Sequence, residues 1–206
     1  GVGLDIFQDV LAYVVLLIAL LLFHAAFTYS LFLKFIGGLN PLTFYRKMKD
    51  VALFAFSTSS SAATIPVTLR TVNQDLGVNQ NVASFVVPVG ATINMDGTAI
   101  MQGLATVFIA QMSGIDLTLF QYIQVVLLAV ATSIGTAAVP SAGTITLIII
   151  LQQFNLPLEA IGIILAVDRV LDMIRTSVNV TGDAAIACIV AKTENQLDEN
   201  IFNSKA

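Results

Sequence analysis

The sequence predicts an all-α membrane protein, with transmembrane helices and two re-entrant helical hairpins arranged as an inverted repeat. Only 11% of its residues are charged and 57% are hydrophobic, whereas soluble domains carry about 25% charged residues. The run from Val10 to Leu33 contains no Asp, Glu, Lys or Arg. As a helix, this run is long enough to cross a hydrocarbon layer of about 30 Å. Two further apolar segments are each interrupted by a motif that begins with Ser and ends with Pro.

The composition also excludes several classes of partner and site. The formal net charge is −4, which argues against a nucleic-acid partner because nucleic acids are bound mainly through cationic side chains. The single cysteine, Cys188, excludes an internal disulfide and a cysteine-rich metal site. We interpret the single histidine, His24, as a packed or pore-facing side chain rather than a metal ligand or catalytic base. An enzyme is not predicted, because the serines at 59–61 lie far from His24 along the chain.

The first half of the chain predicts one transmembrane helix and one hairpin. The helix covers residues 10–36 and ends at the Gly-Gly-Leu-Asn-Pro turn. Residues 41–76 are apolar but contain a serine-rich interruption, and each half is too short to cross a bilayer alone. This segment therefore predicts the first re-entrant hairpin. Its tip must be buried in protein or line a wet cavity, because irregular backbone is not stable against lipid.

The second half predicts three further elements and a tail. Residues 79–113 predict a transmembrane helix broken by Asn-Met-Asp-Gly. Residues 117–154 predict a second re-entrant hairpin, interrupted by Ser-Ile-Gly-Thr-Ala-Ala-Val-Pro. Residues 157–193 predict a long last transmembrane helix, and residues 194–206 predict a polar tail.

The two interruptions resemble each other. Ser59–Pro66 and Ser133–Pro140 both reach Pro seven residues after Ser, with Ala at the fifth place and a β-branched residue before the Pro. This match predicts that a hairpin followed by a long helix occurs twice, as in transporters whose binding sites lie between paired interrupted helices. A chance match between two turns rich in small residues is the alternative.

The distribution of cations predicts the orientation. If both interrupted segments return to the side from which they entered, the loops of one side hold seven cations and the loops of the other side hold none. The seven cations are Lys34, Arg46, Lys47, Lys49, Arg70, Lys192 and Lys205. Basic loops are usually cytoplasmic. We therefore expect a multi-pass cell-membrane protein whose basic loops and C-terminus face the cytoplasm.

The last helix carries a stripe of polar residues. At 100° per residue, six polar or ionisable side chains share a face about 100° wide. They are Asp168, Asp172, Arg175, Thr176, Asn179 and Asp183. Ionisable residues inside a span usually face a polar interior and mark the path of a substrate or an ion. The alternative is the water-facing side of an ordinary amphipathic helix.

Four motifs resemble the core of the dicarboxylate/amino acid:cation symporter family, which includes the excitatory amino acid transporters and the archaeal aspartate transporters. The motifs, in family order, are SSSAATIP (59–66), GATINMDGTA (90–99), SIGTAAVPSAG (133–143) and DRVLDMIRTSVNVTGDAAIACIVAKTE (168–194). The resemblance implies that residues 1–206 form a transport domain, with the earlier scaffold spans absent from this chain. It also implies an elevator-type alternating-access movement, in a homotrimer that assembles through the scaffold.

The resemblance implies sodium-coupled symport of an acidic amino acid, aspartate or glutamate, across the lipid bilayer. Na⁺ would be the coupling ion, because proton-coupled members of the family tend to carry Asn at the place of Asp183. A Na⁺- or H⁺-coupled C4-dicarboxylate symporter is the first alternative. Asp172 argues against it, since a dicarboxylate has no amino group to pair with this carboxylate. A substrate-gated anion channel is the more distant alternative.

A substrate site of nine residues follows from the resemblance. The set is Ser60, Ser61, Thr98, Val139, Gly143, Asp172, Arg175, Thr176 and Asn179. Asp172 would bind the α-amino group, and Asn179 with the first serine-rich tip would bind the α-carboxylate. Arg175 would bind the side-chain carboxylate, which suits its planar guanidinium. Val139 and Gly143 would close the second tip over the ligand as a gate.

Three Na⁺ sites made of oxygen ligands, which hard cations prefer, are also implied by the resemblance. One would use Asp183 with backbone oxygens of Gly90, Asn94 and Asn179. A second would use backbone oxygens of Thr92, Ser133, Ile134 and Thr136. A third would use Asp96 and the Asn94 side chain, completed by a helix absent from this chain. The alternative for Asp96 is a carboxylate that reaches a water-filled crevice.

Two positions depart from the family pattern. Archaeal members carry Arg at the place of Ser59, and the animal transporters carry Arg at the place of Met173. This chain therefore lacks the extra cation that its relatives place near the substrate, and their affinities do not carry over to it.

Overall fold

The protein is a bundle of helices around one long helix near the C-terminus. The computed structural model describes residues 2–204, so Lys205 and Ala206 of the predicted tail lie outside the described residues. The helices are α1 Val2–Phe23, α2 Pro41–Thr58, α3 Ser61–Gln74, α4 Gln80–Ile93, α5 Asp96–Met112, α6 Leu119–Ile134, α7 Ala142–Gln153, α8 Ile161–Thr193 and α9 Glu199–Asn203, with a 3₁₀ turn at Leu158–Ala160. Between residues 2 and 204, β-type pairing is limited to an isolated bridge joining Val78 and Leu197. The all-α class is confirmed.

The first helix changes its winding after Phe23. Residues His24–Tyr29 and Phe32–Ile36 form π-helical turns, in which backbone hydrogen bonds reach one residue further than in an α-helix. The continuous helix Ile6–Ile36 is long and apolar enough to cross a membrane. Among the described residues it is the one helix that meets both criteria, since α6 and α7 are apolar but shorter.

The first hairpin pairs α2 with α3. Asn40 caps α2, because its Oδ1 accepts from the backbone N–H groups of Leu42 at 2.9 Å and Thr43 at 3.4 Å. Two residues, Ser59 and Ser60, connect the helices, and Ser59 takes the left-handed conformation with φ 51°. The Ser60 side chain then caps α3 by accepting from the N–H of Ala63. The two helices pack against each other.

The second hairpin pairs α6 with α7, and between the hairpins lies the interrupted pair α4 and α5. The α4–α5 break consists of Asn94 and Met95, after which Asp96 begins α5. The α6–α7 connection is longer and covers residues 135–141. Ser141, at its end, has a left-handed φ of 59°.

Helix α8 contacts α1, α2, α3, α4, α5 and α7. Small buried residues such as Ala184, Ala187 and Ala191 let these neighbours approach its backbone closely. At Gly182, an added Cβ would lie 2.5 Å from both the Tyr29 hydroxyl and the Asn94 Nδ2. The packing of the first π-helical turn and of the α4–α5 break against α8 therefore requires glycine at this position.

The base of the first hairpin lies at the same end of the bundle as the C-terminal segment. The N–H of Asn79 donates to the carbonyl of Gln196 at 2.9 Å. Lys47 Nζ donates to the carbonyls of Asp75 at 2.8 Å and Ile201 at 2.6 Å. These contacts place Lys47 and the C-terminal segment at the same end of the bundle, in agreement with the side to which the distribution of cations assigned them. That this end faces the cytoplasm stays a prediction.

Asn40→Ala should lower the unfolding temperature of the full-length protein in detergent. Losing a helix cap costs about 1 kcal/mol, which corresponds to a shift of roughly 2–4 °C in a protein of this size or larger. Asn40→Ser keeps a short acceptor and should retain most of the stability. Equal unfolding temperatures for the wild type and Asn40→Ala would contradict a stabilising cap.

Candidate functional site

The polar stripe of α8 lies inside the protein. Asp168, Arg175 and Asp183 each expose 2% of their surface, and Asp172 and Asn179 each expose 4%. The alternative of a water-facing amphipathic stripe is therefore wrong. Charged groups at this depth require compensation by opposite charges or hydrogen bonds, so their partners define the candidate site.

Arg175 lies between two carboxylates of its own helix. Its Nη2 is 2.5 Å from Asp172 Oδ1, and its Nη1 is 3.5 Å from Asp168 Oδ1. The other oxygen of Asp172, Oδ2, accepts a hydrogen bond of 2.9 Å from the backbone N–H of Ser141 in the second hairpin. The site therefore presents a cation and an anion side by side, which is what a zwitterionic ligand requires.

Asp168 is a member of the stripe to which the sequence analysis gave no role. Its Oδ1 accepts a hydrogen bond of 2.7 Å from Thr144 Oγ1 on α7. Its Oδ2 is buried without a hydrogen-bond partner among the described residues, as is the hydroxyl of Tyr13 on α1. Asp168 thus joins the second hairpin to the guanidinium of Arg175. Its place one turn before Asp172 on the same face was the sequence signal that pointed to it.

The serine-rich tip of the first hairpin contacts the second hairpin. Ser60 Oγ donates to the carbonyl of Ala138 at 2.8 Å, and the N–H of Ala62 donates to the same carbonyl at 3.3 Å. Ser59 Oγ, by contrast, is buried and has no hydrogen-bond partner among the described residues. Of the two predicted serines, Ser61 lines a small cavity between the two hairpin tips. The Ser60 hydroxyl is instead bonded to the tip of the second hairpin.

The second hairpin approaches Arg175 at Gly143. A Cβ added there would lie 2.7 Å from Thr98 Cγ2 and 3.6 Å from Arg175 Cζ. The carbonyl of Gly143 accepts from Gln102 Nε2 at 3.0 Å, which fixes the start of α7 against α5. A glycine is therefore needed for the second tip to close over the guanidinium.

Asn179 holds the start of α5 against α8. Its Oδ1 accepts a hydrogen bond of 2.7 Å from the N–H of Gly97, and its Nδ2 lies 3.5 Å from Thr98 Oγ1. The first N–H groups of a helix carry a partial positive charge. The break at Asn94 and Met95 thus brings this positive helix end to the stripe.

The two tips, the start of α5 and the stripe enclose one small cavity. Its free volume is about 20 Å³, roughly the space that a single water molecule needs. Every predicted substrate residue except Ser60 lines it: Ser61, Thr98, Val139, Gly143, Asp172, Arg175, Thr176 and Asn179. Ser59, Met95, Thr136, Ala137 and Ala138 complete the lining. A ligand as large as an amino acid requires the tips to move apart.

The residues of the first predicted ion site lie together. Asn94 Nδ2 is 2.9 Å from Asp183 Oδ1 and 3.3 Å from the carbonyl oxygen of Asn179. At Gly90, an added Cβ would be 2.7 Å from Asp183 Oδ1, so the carboxylate rests against the backbone of α4. The break between α4 and α5 therefore lies beside a buried carboxylate, an oxygen ligand of the kind that a hard cation prefers.

The residues of the second predicted ion site come from the ends of α4 and α6, two helices that contact each other. The carbonyl of Ser133 accepts from the N–H of Thr136 at 3.0 Å. Thr92 Oγ1 donates to the carbonyl of Val89 at 2.9 Å. Among the described residues, no hydrogen bond joins Thr92 to Ser133, Ile134 or Thr136, so this ligand set stays a prediction.

The third predicted site has partners that the sequence analysis missed. Asp96 Oδ2 lies 3.0 Å from His24 Nε2 and accepts from the Tyr29 hydroxyl at 3.2 Å. Both partners belong to the first helix of this chain. The Asn94 side chain, which was predicted to share the ion with Asp96, is instead hydrogen-bonded to Asp183. The sequence signal for this contact was His24 itself, because a polar residue inside an apolar span usually has a polar partner.

Comparisons with known proteins agree with these motifs. The family described as the sodium:dicarboxylate symporter family matches residues 1–193. An "Excitatory amino acid transporter" of Caenorhabditis elegans is 43% identical over 86% of this chain and 35% of its own length. The human "Excitatory amino acid transporter 2" is 44% identical over 86% of the chain and 31% of its own length. The mouse "Excitatory amino acid transporter 3" is 42% identical over 98% of the chain and 39% of its own length. The chain thus spans about a third of these curated relatives.

Gly143→Ala should destabilise the full-length protein, because its new methyl group would overlap Thr98 Cγ2. Overpacking of this kind typically costs about 1–3 kcal/mol. Thr98→Ser removes that methyl group and keeps the hydroxyl, so the double variant should recover most of the loss. Unfolding temperatures of the wild type, both single variants and the double variant measure the interaction. Additive losses would contradict the close contact.

Proposed function

The chain belongs to the sodium:dicarboxylate symporter family, and on this basis we propose that it forms the transport domain of a sodium-coupled symporter for acidic amino acids. The observation that carries the proposal is the buried pair of Arg175 and Asp172 in the small cavity between the two hairpin tips. A cation and an anion side by side in one small cavity suit a ligand that carries both charges.

The proposed substrate is bound by exchange of partners within this cavity. The α-amino group replaces the guanidinium as the partner of Asp172, and the side-chain carboxylate becomes the partner of Arg175 in a bidentate pair. Asp168, 3.5 Å from Arg175, then keeps the guanidinium oriented toward the cavity. The α-carboxylate is bound by the amide of Asn179 and by hydroxyls of the first tip. Ser59 is the best placed of these, because its buried hydroxyl has no other partner among the described residues.

Na⁺ is the proposed coupling ion, and its role follows from charge. Asp96 lies at the start of α5, directly after the α4–α5 break, and Asp183 on α8 is hydrogen-bonded to Asn94 of that break. Each elementary charge that crosses 100 mV contributes about 2.3 kcal/mol, and a tenfold concentration gradient adds about 1.4 kcal/mol. Several Na⁺ ions per substrate would therefore drive steep accumulation.

The proposed gate is the contact between the two tips. Ser60 and Ala138 join the first tip to the second, and the backbone of Ser141 holds Asp172. Opening the second tip breaks these bonds and exposes the cavity. We further propose that the domain then moves by the elevator mechanism, within a homotrimer in the lipid bilayer, and that its basic end faces the cytoplasm.

Aspartate uptake by the full-length protein in liposomes tests the proposal. An inward Na⁺ gradient at equal pH should drive accumulation of radiolabelled aspartate, and a pH gradient without Na⁺ should not. Unlabelled succinate should compete weakly, because it has no amino group for Asp172. Uptake that follows the pH gradient and ignores Na⁺ would contradict the coupling ion. Preferred uptake of succinate would favour the C4-dicarboxylate alternative.

Two substitutions should separate the roles of the charged pair. Arg175→Ala should weaken uptake of aspartate by at least about 100-fold, because a buried carboxylate loses its charged partner, while a small neutral amino acid should still compete. Asp172→Asn should weaken acidic and neutral amino acids alike, since both carry the α-amino group. Competition assays with aspartate and serine measure the two patterns. Equal losses for both ligands in Arg175→Ala would show that Arg175 has a structural role instead.

A further inference from the structure

The first helix makes one unusual contact with the rest of the domain. His24 and Tyr29, five residues apart, both contact the same oxygen, Asp96 Oδ2, at 3.0 and 3.2 Å. In an α-helix, residues i and i+5 are about 140° apart around the axis. They therefore face different directions and cannot both meet one acceptor.

The π-helical turn accounts for this contact. It covers His24–Tyr29, so the two residues mark its first and last positions. A π-helix winds wider than an α-helix and bonds residue i to residue i+5, which brings residue i+5 close to the face of residue i. The rings of His24 and Tyr29 meet edge to face, with centroids 4.9 Å apart. The local winding thus turns two side chains into a single clamp on Asp96.

We propose that His24 and Tyr29 are positioning residues for the cation site at Asp96, an inference that rests on the proposed sodium coupling. They hold Asp96 through Oδ2 and fix the direction of its other oxygen. Asp96 Oδ1 accepts no hydrogen bond among the described residues, and the carboxylate is 38% exposed. Oδ1 is therefore the oxygen that remains for the ion.

Tyr29 also extends this clamp toward the site at Asp183. Its hydroxyl lies 3.3 Å from the carbonyl oxygen of Val178 on α8. The same hydroxyl and Asn94 Nδ2 both lie against Gly182, and Asn94 is the hydrogen-bond partner of Asp183. The Tyr29 hydroxyl thus contacts one carboxylate proposed to bind an ion and shares its contact with Gly182 with the partner of the other.

The test compares matched variants of the full-length protein. Tyr29→Phe removes only the hydroxyl of the clamp. Tyr13→Phe is the control, because both tyrosines lie on the same helix and expose 3% of their surface, and the Tyr13 hydroxyl has no hydrogen-bond partner among the described residues. His24→Gln keeps an amide N–H donor of similar reach, and His24→Leu removes it.

Tyr29→Phe should raise the half-saturating Na⁺ concentration for aspartate uptake roughly tenfold, as expected for the loss of a hydrogen bond to a charged group. The KM for aspartate at saturating Na⁺ should stay unchanged. His24→Leu should raise the half-saturating Na⁺ concentration about threefold, because water reaches this partly exposed pair. His24→Gln and Tyr13→Phe should match the wild type.

A second measurement does not depend on uptake. The unfolding temperature of the purified protein without substrate should rise with Na⁺, because an ion that binds the folded state stabilises it. In Tyr29→Phe, this rise should move to higher Na⁺ concentration. The proposal fails if Tyr29→Phe and His24→Leu keep the wild-type Na⁺ dependence, or if Tyr13→Phe shifts it equally. A wild type that shows no Na⁺ dependence in either assay would instead overturn the sodium coupling itself.

Discussion

The pairing of the buried Arg175 guanidinium with Asp168 and Asp172 is the interaction on which the rest of the structure depends. A buried charge is tolerated only where opposite charges and hydrogen bonds surround it. The partners come from two elements, since Thr144 and Ser141 of the second hairpin bond to Asp168 and Asp172 on α8. The second hairpin therefore cannot move without changing the surroundings of Arg175. The proposed ligand recognition and the proposed gating therefore share one hydrogen-bond network.

The same requirement explains where the irregular backbone lies. Unpaired backbone groups are not stable against lipid and must be covered by protein or face a cavity. The three interruptions, at 59–60, 94–95 and 135–141, all supply residues to the cavity beside the stripe of α8. Ser141 donates its N–H to Asp172, and Gly97, just after the second interruption, donates its N–H to Asn179. The irregular segments thus supply the polar backbone that the charged side chains need. The second hairpin tip and the charged stripe thus provide hydrogen-bond partners for each other.

Helix periodicity is why much of this site was predictable. The stripe residues share a face at 100° per residue, so spacing alone predicts that they lie on one side of α8, and the resemblance then identified eight of the thirteen residues that line the cavity as substrate residues. Three features were missed for local reasons. Ser59 has a left-handed backbone and lines the cavity, although the resemblance did not name it, and the Asn94 amide is hydrogen-bonded to Asp183. His24 and Tyr29 share a face only because of a π-helical turn, which no α-helical pattern reveals.

The charges of the site also explain why the proposed cations and the proposed substrate would bind together. The carboxylates of Asp96, Asp168, Asp172 and Asp183 are opposed by the single guanidinium of Arg175, which leaves a formal charge of −3. An acidic amino acid adds a further −1, so its binding alone would increase an already unfavourable buried charge. Cations bound at Asp96 and Asp183, as proposed above, would reduce this charge before or during substrate binding. A site whose carboxylates outnumber its guanidinium can accept an acidic substrate only if cations bind with it, and this physical requirement would couple the proposed transport to the ions.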